Sequence, residues 1–172
     1  LEETDVTATF LASYYMDRYS QDQEEVKASI KRARAWIASA ELVSQEARNF
    51  QMLAAAKMGE SKARIEELQA HILKDQHADG GWSQLEEMAS DAYATGQTLF
   101  ILQETGAGSI EAASAIERGV AFLLKTREAD GSWHVVSRST PIQTLFDNGD
   151  PHGTDQFIST PATAWAVAAL AS

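Results

Sequence analysis

The sequence contains no cysteine among its 172 residues. A chain without cysteine forms no disulfide and supplies no thiolate, either as a nucleophile or as a metal ligand. The absence of cysteine does not indicate whether the protein resides in an oxidising or a reducing compartment. Long apolar runs are also absent, because no stretch of about 18 apolar residues occurs, so the sequence predicts no membrane span. Positive charge is scarce: the net charge is −11. This charge disfavours nucleic acid and anionic membranes as partners, because both would be repelled.

The length and composition predict one globular domain covering residues 1–172, because a chain of this size can bury a core of its own. The chain begins with Leu1-Glu2-Glu3-Thr4, without Met and without the basic and apolar pattern of a signal peptide. It stops within an apolar run at Ala171-Ser172. We therefore expect a soluble domain that is the C-terminal part of a longer protein. The sequence does not decide whether that protein is cytoplasmic or exported.

Residues 64–82 recur at residues 115–133, shifted by 51 positions. In each copy an amphipathic helix ends in Lys, a polar turn with Asp-Gly follows, and a Trp stands two residues after the Gly. Self-similarity at a period of about 20–50 residues is typical of repeat folds, in which each unit buries its apolar face against its neighbours. Nine pairs are identical: Ile65/Ile116, Glu66/Glu117, Ala70/Ala121, Leu73/Leu124, Lys74/Lys125, Ala78/Ala129, Asp79/Asp130, Gly80/Gly131 and Trp82/Trp133.

Apolar residues at helical spacing predict about seven helices and no strand. Capping residues mark two of the starts, with Thr4 or Asp5 before the first helix and Ser61 before the fourth. Pro161 is expected at the first position of the last helix, where its missing N–H is tolerated. The sequence thus predicts an all-α fold of helices in repeated pairs, forming an α/α toroid or an arc of one. The predicted helices cover residues 5–18, 21–39, 44–57, 61–74, 90–103, 110–126 and 160–170.

A long irregular segment, residues 134–158, is predicted before the last helix. Aligning Ala94-Thr95 with Ala162-Thr163 raises the offset of the repeat from 51 to 68, so the second copy holds 17 extra residues. Long loops inside compact domains are usually functional or disordered. In one interpretation Phe146 and Phe157 anchor an ordered loop in the core. In the other, His152 and Asp155 form a proton-transfer pair or hold a ligand at the rim of a cavity.

The first turn resembles the QW motif of the terpenoid cyclase and protein prenyltransferase superfamily, which includes the squalene-hopene cyclases. The residues that carry this resemblance are Gln76, Gly80 and Trp82. The resemblance implies that the Gln side chain stacks on the Trp and bonds the free N-terminal amides of the next helix. The second copy keeps Gly131 and Trp133 but has Arg127 in place of the Gln. Residues 91–97 and 159–166 are similar to the small, Thr- and Ala-rich inner helices of that superfamily.

A squalene-hopene-type cyclase protonates its substrate with an Asp of an Asp-x-Asp-Asp motif at the start of an inner helix. The corresponding residue here is Asp91, the one carboxylate at that place, and acids favour helix N-termini for electrostatic reasons alone. The protein prenyltransferases bind Zn²⁺ through Asp, Cys and His, and this chain lacks the Cys. We expect no metal and no cofactor, because the histidines follow no metal-ligand spacing: His71, His77, His134 and His152.

Three functions stay open. In the first, the domain is a scaffold or binding domain for an apolar ligand or partner, without cyclase chemistry. In the second, it is the C-terminal half of a cyclase-like enzyme whose acid motif lies outside the given sequence. In the third, it is a protein-interaction module. Half a ring would expose apolar inner-helix faces, so the expected partner is the remainder of a longer chain or a second copy. An isoprenoid-like ligand would contact the candidate cavity residues Tyr93, Trp165 and Phe157, although Trp165 equally fits a core position.

Overall fold

The computed structural model describes residues 4–20, 23–106, 108–140 and 144–172. These residues form seven α-helices and one short 3-10 helix, with no β-strand among them, so the predicted all-α class is confirmed. Gln21, where the second helix was predicted to begin, and residues 141–143 of the irregular segment lie outside the described residues. The helices are α1 (Asp5–Tyr19), α2 (Glu24–Ser39), α3 (Gln45–Lys57), α4 (Lys62–Lys74), α5 (Ala92–Glu104), α6 (Ile110–Thr126) and α7 (Gln156–Ala171), and the 3-10 helix is Gly153–Asp155.

Side-chain caps explain where five of these helices begin. The predicted caps Thr4 and Ser61 each accept a hydrogen bond from the backbone N–H three residues further on, at the starts of α1 and α4. Ser44, Asp91 and Ser109 do the same for α3, α5 and α6. Each cap satisfies an N–H group that has no partner inside its helix, which fixes the first helical turn.

The helices pack in two layers. α1, α3, α5 and α7 lie side by side in chain order, each packed on the next, and we call them the inner layer. The outer layer consists of α2, α4 and α6. Of these, α2 packs on both α1 and α3, α4 packs on α3, and α6 packs on α5. Alternation between layers along the chain is what repeated helix pairs predict. It places α1 and α7 at the two ends of the inner layer.

The core is centred on α3 and α5, the two middle helices of the inner layer. α5 buries ten of its thirteen residues, which requires packing on nearly all sides. None of the helices in the described ranges is long and apolar enough to cross a membrane. The largest apolar side chains that are almost fully buried are Met52, Ile72, Trp82, Leu99, Ile101, Leu102 and Leu123.

α5 and α7 approach each other so closely that Gly96 is needed between them. A Cβ atom at Gly96 would lie 2.6 Å from the backbone nitrogen of Ala166 and 2.8 Å from the carbonyl carbon of Trp165. Both of these are backbone atoms, so rotation of a side chain cannot relieve the contact. The small residues of α7 allow the same close approach from the other side.

The last helix begins four residues earlier than predicted, at Gln156 instead of Thr160, and the placement of Pro161 at its first position is wrong. Pro161 is the sixth residue of α7. Its missing N–H removes one bond to the carbonyl four residues earlier, which a helix tolerates close to its start better than in its middle. The extra turn is held by the buried side chain of Gln156, whose amide donates to the carbonyl of Gly153 at 2.9 Å.

Gly96→Ala should lower the free energy of unfolding by about 1–3 kcal/mol, the usual cost of overpacking. This loss should appear even though Ala favours a helix over Gly by about 1 kcal/mol. Urea unfolding measures the change. The control is Ala121→Ser, at an exposed position of α6, where we expect a change within about 0.5 kcal/mol. Equal midpoints for Gly96→Ala and the parent would contradict this account of the α5–α7 contact.

Candidate functional site

The two repeat turns hold their tryptophans in the same way. The indole N–H of Trp82 donates to the carbonyl of Ile72 at 2.9 Å, and that of Trp133 donates to the carbonyl of Leu123 at 2.8 Å. Both indoles are buried, with exposed fractions of 0% and 2%. Each bond joins the turn to the last part of the preceding outer helix. The two copies that the sequence places 51 residues apart thus make equivalent contacts at their tryptophans.

Each tryptophan also bonds to the inner helix that follows it. The backbone N–H of Trp82 donates to the hydroxyl of Thr95 at 2.9 Å, and that of Trp133 donates to the hydroxyl of Thr163 at 3.0 Å. The two threonines are separated by the offset of 68 that the sequence alignment predicted. The 17 extra residues therefore lie between two equivalent attachment points and leave the attachment itself unchanged.

The turns also share their backbone geometry. Gly80 and Gly131 have φ angles of +91° and +93°, in the region that favours glycine. In each turn an Asp carboxylate accepts a hydrogen bond from the backbone N–H two residues further on. The carboxylate is that of Asp79 in the first turn and Asp130 in the second, and both bonds measure 2.9 Å. This Asx turn and the following glycine explain why Asp-Gly recurs in both copies.

Gln76 does not make the bonds that the resemblance implied. Its amide nitrogen donates to the carbonyls of Gly80 and Ala115, both at 2.8 Å, and its oxygen accepts from Arg118. It therefore joins the first turn to α6, while the N-terminal amides of the next inner helix are capped by Asp91 instead. Arg127 follows α6 directly and is exposed.

The two turns differ in what covers them. A Cβ atom at Gly80 would lie 2.6 Å from the carbonyl oxygen of Arg118, because α6 packs directly on the first turn. A Cβ atom at Gly131 would meet nothing within 4 Å among the described residues. The surface of the second turn that corresponds to the α6-binding surface of the first is therefore open.

Asp91, the candidate acid, is held as a helix cap. One carboxylate oxygen accepts the backbone N–H of Ala94 at 2.8 Å, and the other accepts the side-chain amide of Gln84 at 2.9 Å. Its backbone N–H donates to the carbonyl of Trp82 at 3.0 Å, which places it directly beside the first turn. The position at the start of an inner helix agrees with the prediction, and the contacts are those of a capping residue.

A second carboxylate, Glu46, is buried at the same end of the inner layer. It accepts hydrogen bonds from the hydroxyls of Thr7 and Tyr93, both at 2.8 Å, and is 7% exposed. It thus joins α1, α3 and α5. The void beside Glu46 and Tyr93 measures about 10 Å³, room for no more than a water molecule. Tyr93, predicted to line a ligand cavity, is instead a donor in this packed cluster.

Sequence reasoning missed Glu46 because an acid in the first turn of a helix is usually an exposed partner of the helix dipole. It also missed a buried amide cluster next to Glu46. The side-chain amide of Asn49 donates to Gln97 at 3.0 Å and to Thr98 at 2.9 Å, between α3 and α5. The signal that could have indicated a shared polar face is the pair Gln45 and Asn49, four positions apart on α3, together with the polar Gln97 and Thr98 on the mostly apolar α5.

His152 and Asp155 lie in one cluster but are not each other's partners. One oxygen of Asp155 is 2.8 Å from His134 Nε2, and the other accepts the backbone N–H of Ser137 at 2.9 Å. His152 Nε2 is 2.8 Å from the hydroxyl of Ser132. The rings of His134 and His152 stack with their centres 4.8 Å apart. Two pairs, His134 with Asp155 and His152 with Ser132, thus replace the single predicted pair.

This histidine cluster fastens the irregular segment to the second turn. His152 has a φ of +77°, which is strained for a residue with a side chain and persists only where the surroundings hold it. Among the described residues, no group of three or more His, Cys, Asp or Glu side chains is placed to bind a metal ion. The contacts therefore describe an anchored loop.

Hydrogen bonds lower the pKa of two carboxyl groups in the cluster. The backbone N–H of Ser137 lowers the pKa of Asp155, with a further contribution from His134. The hydroxyl and then the backbone N–H of Ser132 lower the pKa of Asp130. Both carboxylates are favoured as anions because their charged forms accept these bonds.

The aromatic residues of the irregular segment do not anchor it. Phe146 is 71% exposed and Phe157 is 53% exposed, so the expectation that they are buried in the core is wrong. Val135 is the buried apolar anchor, and its backbone N–H donates to the hydroxyl of Ser159 at 3.1 Å. The polar residues of the segment secure the rest, which leaves the two phenylalanines free to face solvent.

The predicted cavity residues line none of three larger surface cavities among the described residues. Trp165 is half-buried against Phe100, with ring centres 5.5 Å apart. Three surface cavities of about 280, 740 and 810 Å³ lie along the α2–α4 groove, beside the start of α1 and along the α4–α6 groove. None of the three is lined by Tyr93, Trp165 or Phe157.

Gly80→Ala and Gly131→Ala should separate backbone strain from packing. Both substitutions place a side chain at a φ near +90°, at a cost of about 1–3 kcal/mol in the free energy of unfolding. Gly80→Ala should cost more, because it also forces the turn away from the backbone of α6. Chemical denaturation of the two variants measures the difference. Equal losses would show that α6 does not press on the first turn.

At pH values above about 3.9, the pKa of Asp in an unfolded chain, Asp155→Asn should lower the free energy of unfolding. The folded chain lowers the pKa of Asp155, so the stabilisation is fully present above the unfolded value and is lost as the pH falls through the folded value. The melting temperatures of the parent and the variant should therefore converge as the pH falls below about 4. Asp17→Asn, an equal change of charge on the exposed surface of α1, should give no such convergence. A constant difference for Asp155→Asn down to the acid limit would contradict this assignment.

Comparison with family models gives no match to this chain. No curated protein is significantly similar to it either. The resemblance to the terpenoid cyclase and protein prenyltransferase superfamily therefore rests on the residues of the two turns and of the helices that follow them, and it stays a prediction.

Proposed function

We propose that this domain is a terpenoid-cyclase-like helical scaffold without cyclase chemistry, and that it binds a second copy of itself through the exposed face of α7. The observation that carries the proposal is the composition of α7. Its sixteen residues include no Asp, Glu, Lys or Arg, although it lies at the end of the inner layer. A surface helix normally carries charge on its solvent side, so α7 has the composition of a helix that another element covers.

The exposed face of α7 is apolar along most of its length. Phe157 and Val167 are each 53% exposed, and Ala164 and Ala171 lie on the same side of the helix. These positions recur at spacings of seven, three and four residues, which are whole turns of a helix, and so form one stripe. Exposed apolar stripes of this kind mark interaction sites more often than isolated apolar residues do.

The sequence repeat indicates that this stripe corresponds to a surface on which another helix packs. On α5, Gly96, Phe100 and Gln103 contact α7, through a close backbone approach, a ring contact and a hydrogen bond to the carbonyl of Ala169. The offset of 68 aligns these three residues with Ala164, Ala168 and Ala171. α7 therefore presents to solvent the face on which α5 binds its neighbour.

The second turn supports the same conclusion, because its open side lies on the last repeat unit, which ends in α7.

The candidate acid supports a scaffold over the cyclase-like alternative. Both oxygens of Asp91 accept hydrogen bonds that cap α5 and bind Gln84. A general acid needs a proton directed at its substrate in a cavity, whereas the void beside the Asp91 partners Gln84 and Ala94 has a volume of about 10 Å³.

Sedimentation velocity over a range of protein concentrations tests the proposal. We expect reversible self-association that Val167→Glu abolishes, because a buried unpaired carboxylate is costly. Added salt should strengthen the association, because each copy carries a net charge of −11 and screening weakens the repulsion between copies. Val43→Glu is the control: Val43 is 68% exposed but lies between α2 and α3, away from the stripe. A parent chain that stays monomeric at high concentration and high salt would refute the proposal.

A further inference from the structure

We propose that the two copies associate head to tail, with the exposed face of α7 in one copy packed on the exposed face of α1 in the next. This inference rests on the proposed function and names the surface that the α7 face binds. The partner surface is defined by four residues of α1 that are 36–76% exposed: Leu11, Tyr15, Met16 and Tyr19. We call it the α1 face.

The α1 face lies at the opposite end of the inner layer from α7. α1 packs on α2 and α3, and the α1 face remains uncovered. Tyr15 and Tyr19 stack on each other with ring centres 6.2 Å apart, so they form one continuous aromatic surface on the helix. Large exposed aromatic residues are typical of protein interfaces, where they supply much of the binding energy.

The direction of the inner helices favours this pairing. At the N-terminal ends, Thr7 of α1 and Tyr93 of α5 both bond to Glu46 in the first turn of α3. At the C-terminal ends, Gln103 of α5 bonds to the carbonyl of Ala169 of α7. The four inner helices therefore run in the same direction. A second copy placed head to tail continues this row, since its α1 becomes the next parallel neighbour of α7.

The sizes of the side chains also match in this parallel arrangement. On α7 the large exposed residue, Phe157, is near the N-terminal end, and the exposed residue near the C-terminal end is Ala171. On α1 the order is reversed, with Ala8 exposed near the start and Tyr19 at the end. Parallel packing thus places the large side chain at each end of one helix opposite a small one at that end of the other, which favours close packing.

A symmetric contact between two α7 faces is the main alternative. It would cover the α7 stripe of both copies but leave Tyr15 and Tyr19 exposed on each. Each head-to-tail contact covers one face of each kind and repeats the packing already present between α5 and α7, and the faces left at the two ends can bind further copies. It is also a heterologous contact, in which each copy uses two different surfaces. Because the two surfaces differ, a substitution can block each of them separately, which distinguishes this contact from the symmetric one.

Two blocked variants and their mixture test the inference by sedimentation velocity. Tyr15→Glu blocks the α1 face, and Val167→Glu blocks the α7 face. Each variant alone should be monomeric, because every head-to-tail contact needs one face of each kind. An equimolar mixture should recover a species of twice the monomer mass, because one variant supplies an intact α7 face and the other an intact α1 face. Val43→Glu should associate like the parent, and circular dichroism melts check that both blocked variants are folded.

The outcomes separate this inference from the proposed function. If Val167→Glu is monomeric but Tyr15→Glu associates like the parent, the α7 face binds a second copy without the α1 face, and only the head-to-tail inference is wrong. If both folded variants are monomeric and their mixture is monomeric too, the head-to-tail contact is likewise refuted. A monomeric parent chain refutes both.

Discussion

The structure depends on the bonds between each turn tryptophan and the helices on either side of it. An indole N–H binds the carbonyl of the outer helix just completed, at Ile72 or Leu123, and the backbone N–H of the same tryptophan binds the hydroxyl of a threonine in the next inner helix. One buried residue thus sets the position of two helices. Both indole bonds and the bond from Trp82 to Thr95 are buried, so none of the three can be exchanged for a bond to solvent without exposing a large aromatic side chain.

Features that depend on local sequence could be predicted. Asp-Gly followed by Trp predicts a turn with a positive φ at Gly80 and Gly131, and the repetition of that pattern predicts two equivalent turns. The alignment of Thr95 with Thr163 was also recognisable, because the residues around each position are small and similar. Helix boundaries followed from caps such as Ser61. All of these signals act over a few residues, so a single sequence is sufficient to recognise them.

Features that depend on distant partners could not be predicted. Nothing around Glu46 indicates that hydroxyls from α1 and α5 would meet it, because those contacts span 39 and 47 residues. Gln76 binds α6 instead of the next inner helix for the same reason: its environment is set by packing across the repeat. Phe157 was expected in the core because it is aromatic, yet its side of α7 is the end of the layer. Asp155 binds His134, 21 residues earlier in the chain, in place of His152, because the fold places the residue after Trp133 next to the start of α7.

The bond between Trp133 and Thr163 makes the largely exposed middle of the irregular segment, residues 144–151, unnecessary for attaching α7 to the second turn. The turn and α7 are joined directly, so the intervening chain carries little of the mechanical connection between the last two helices. Such a segment can lengthen, shorten or change in sequence during evolution while the helices keep their positions. The domain therefore has a place at which new surface chemistry can be added without rebuilding its core, and this place lies next to the face of α7.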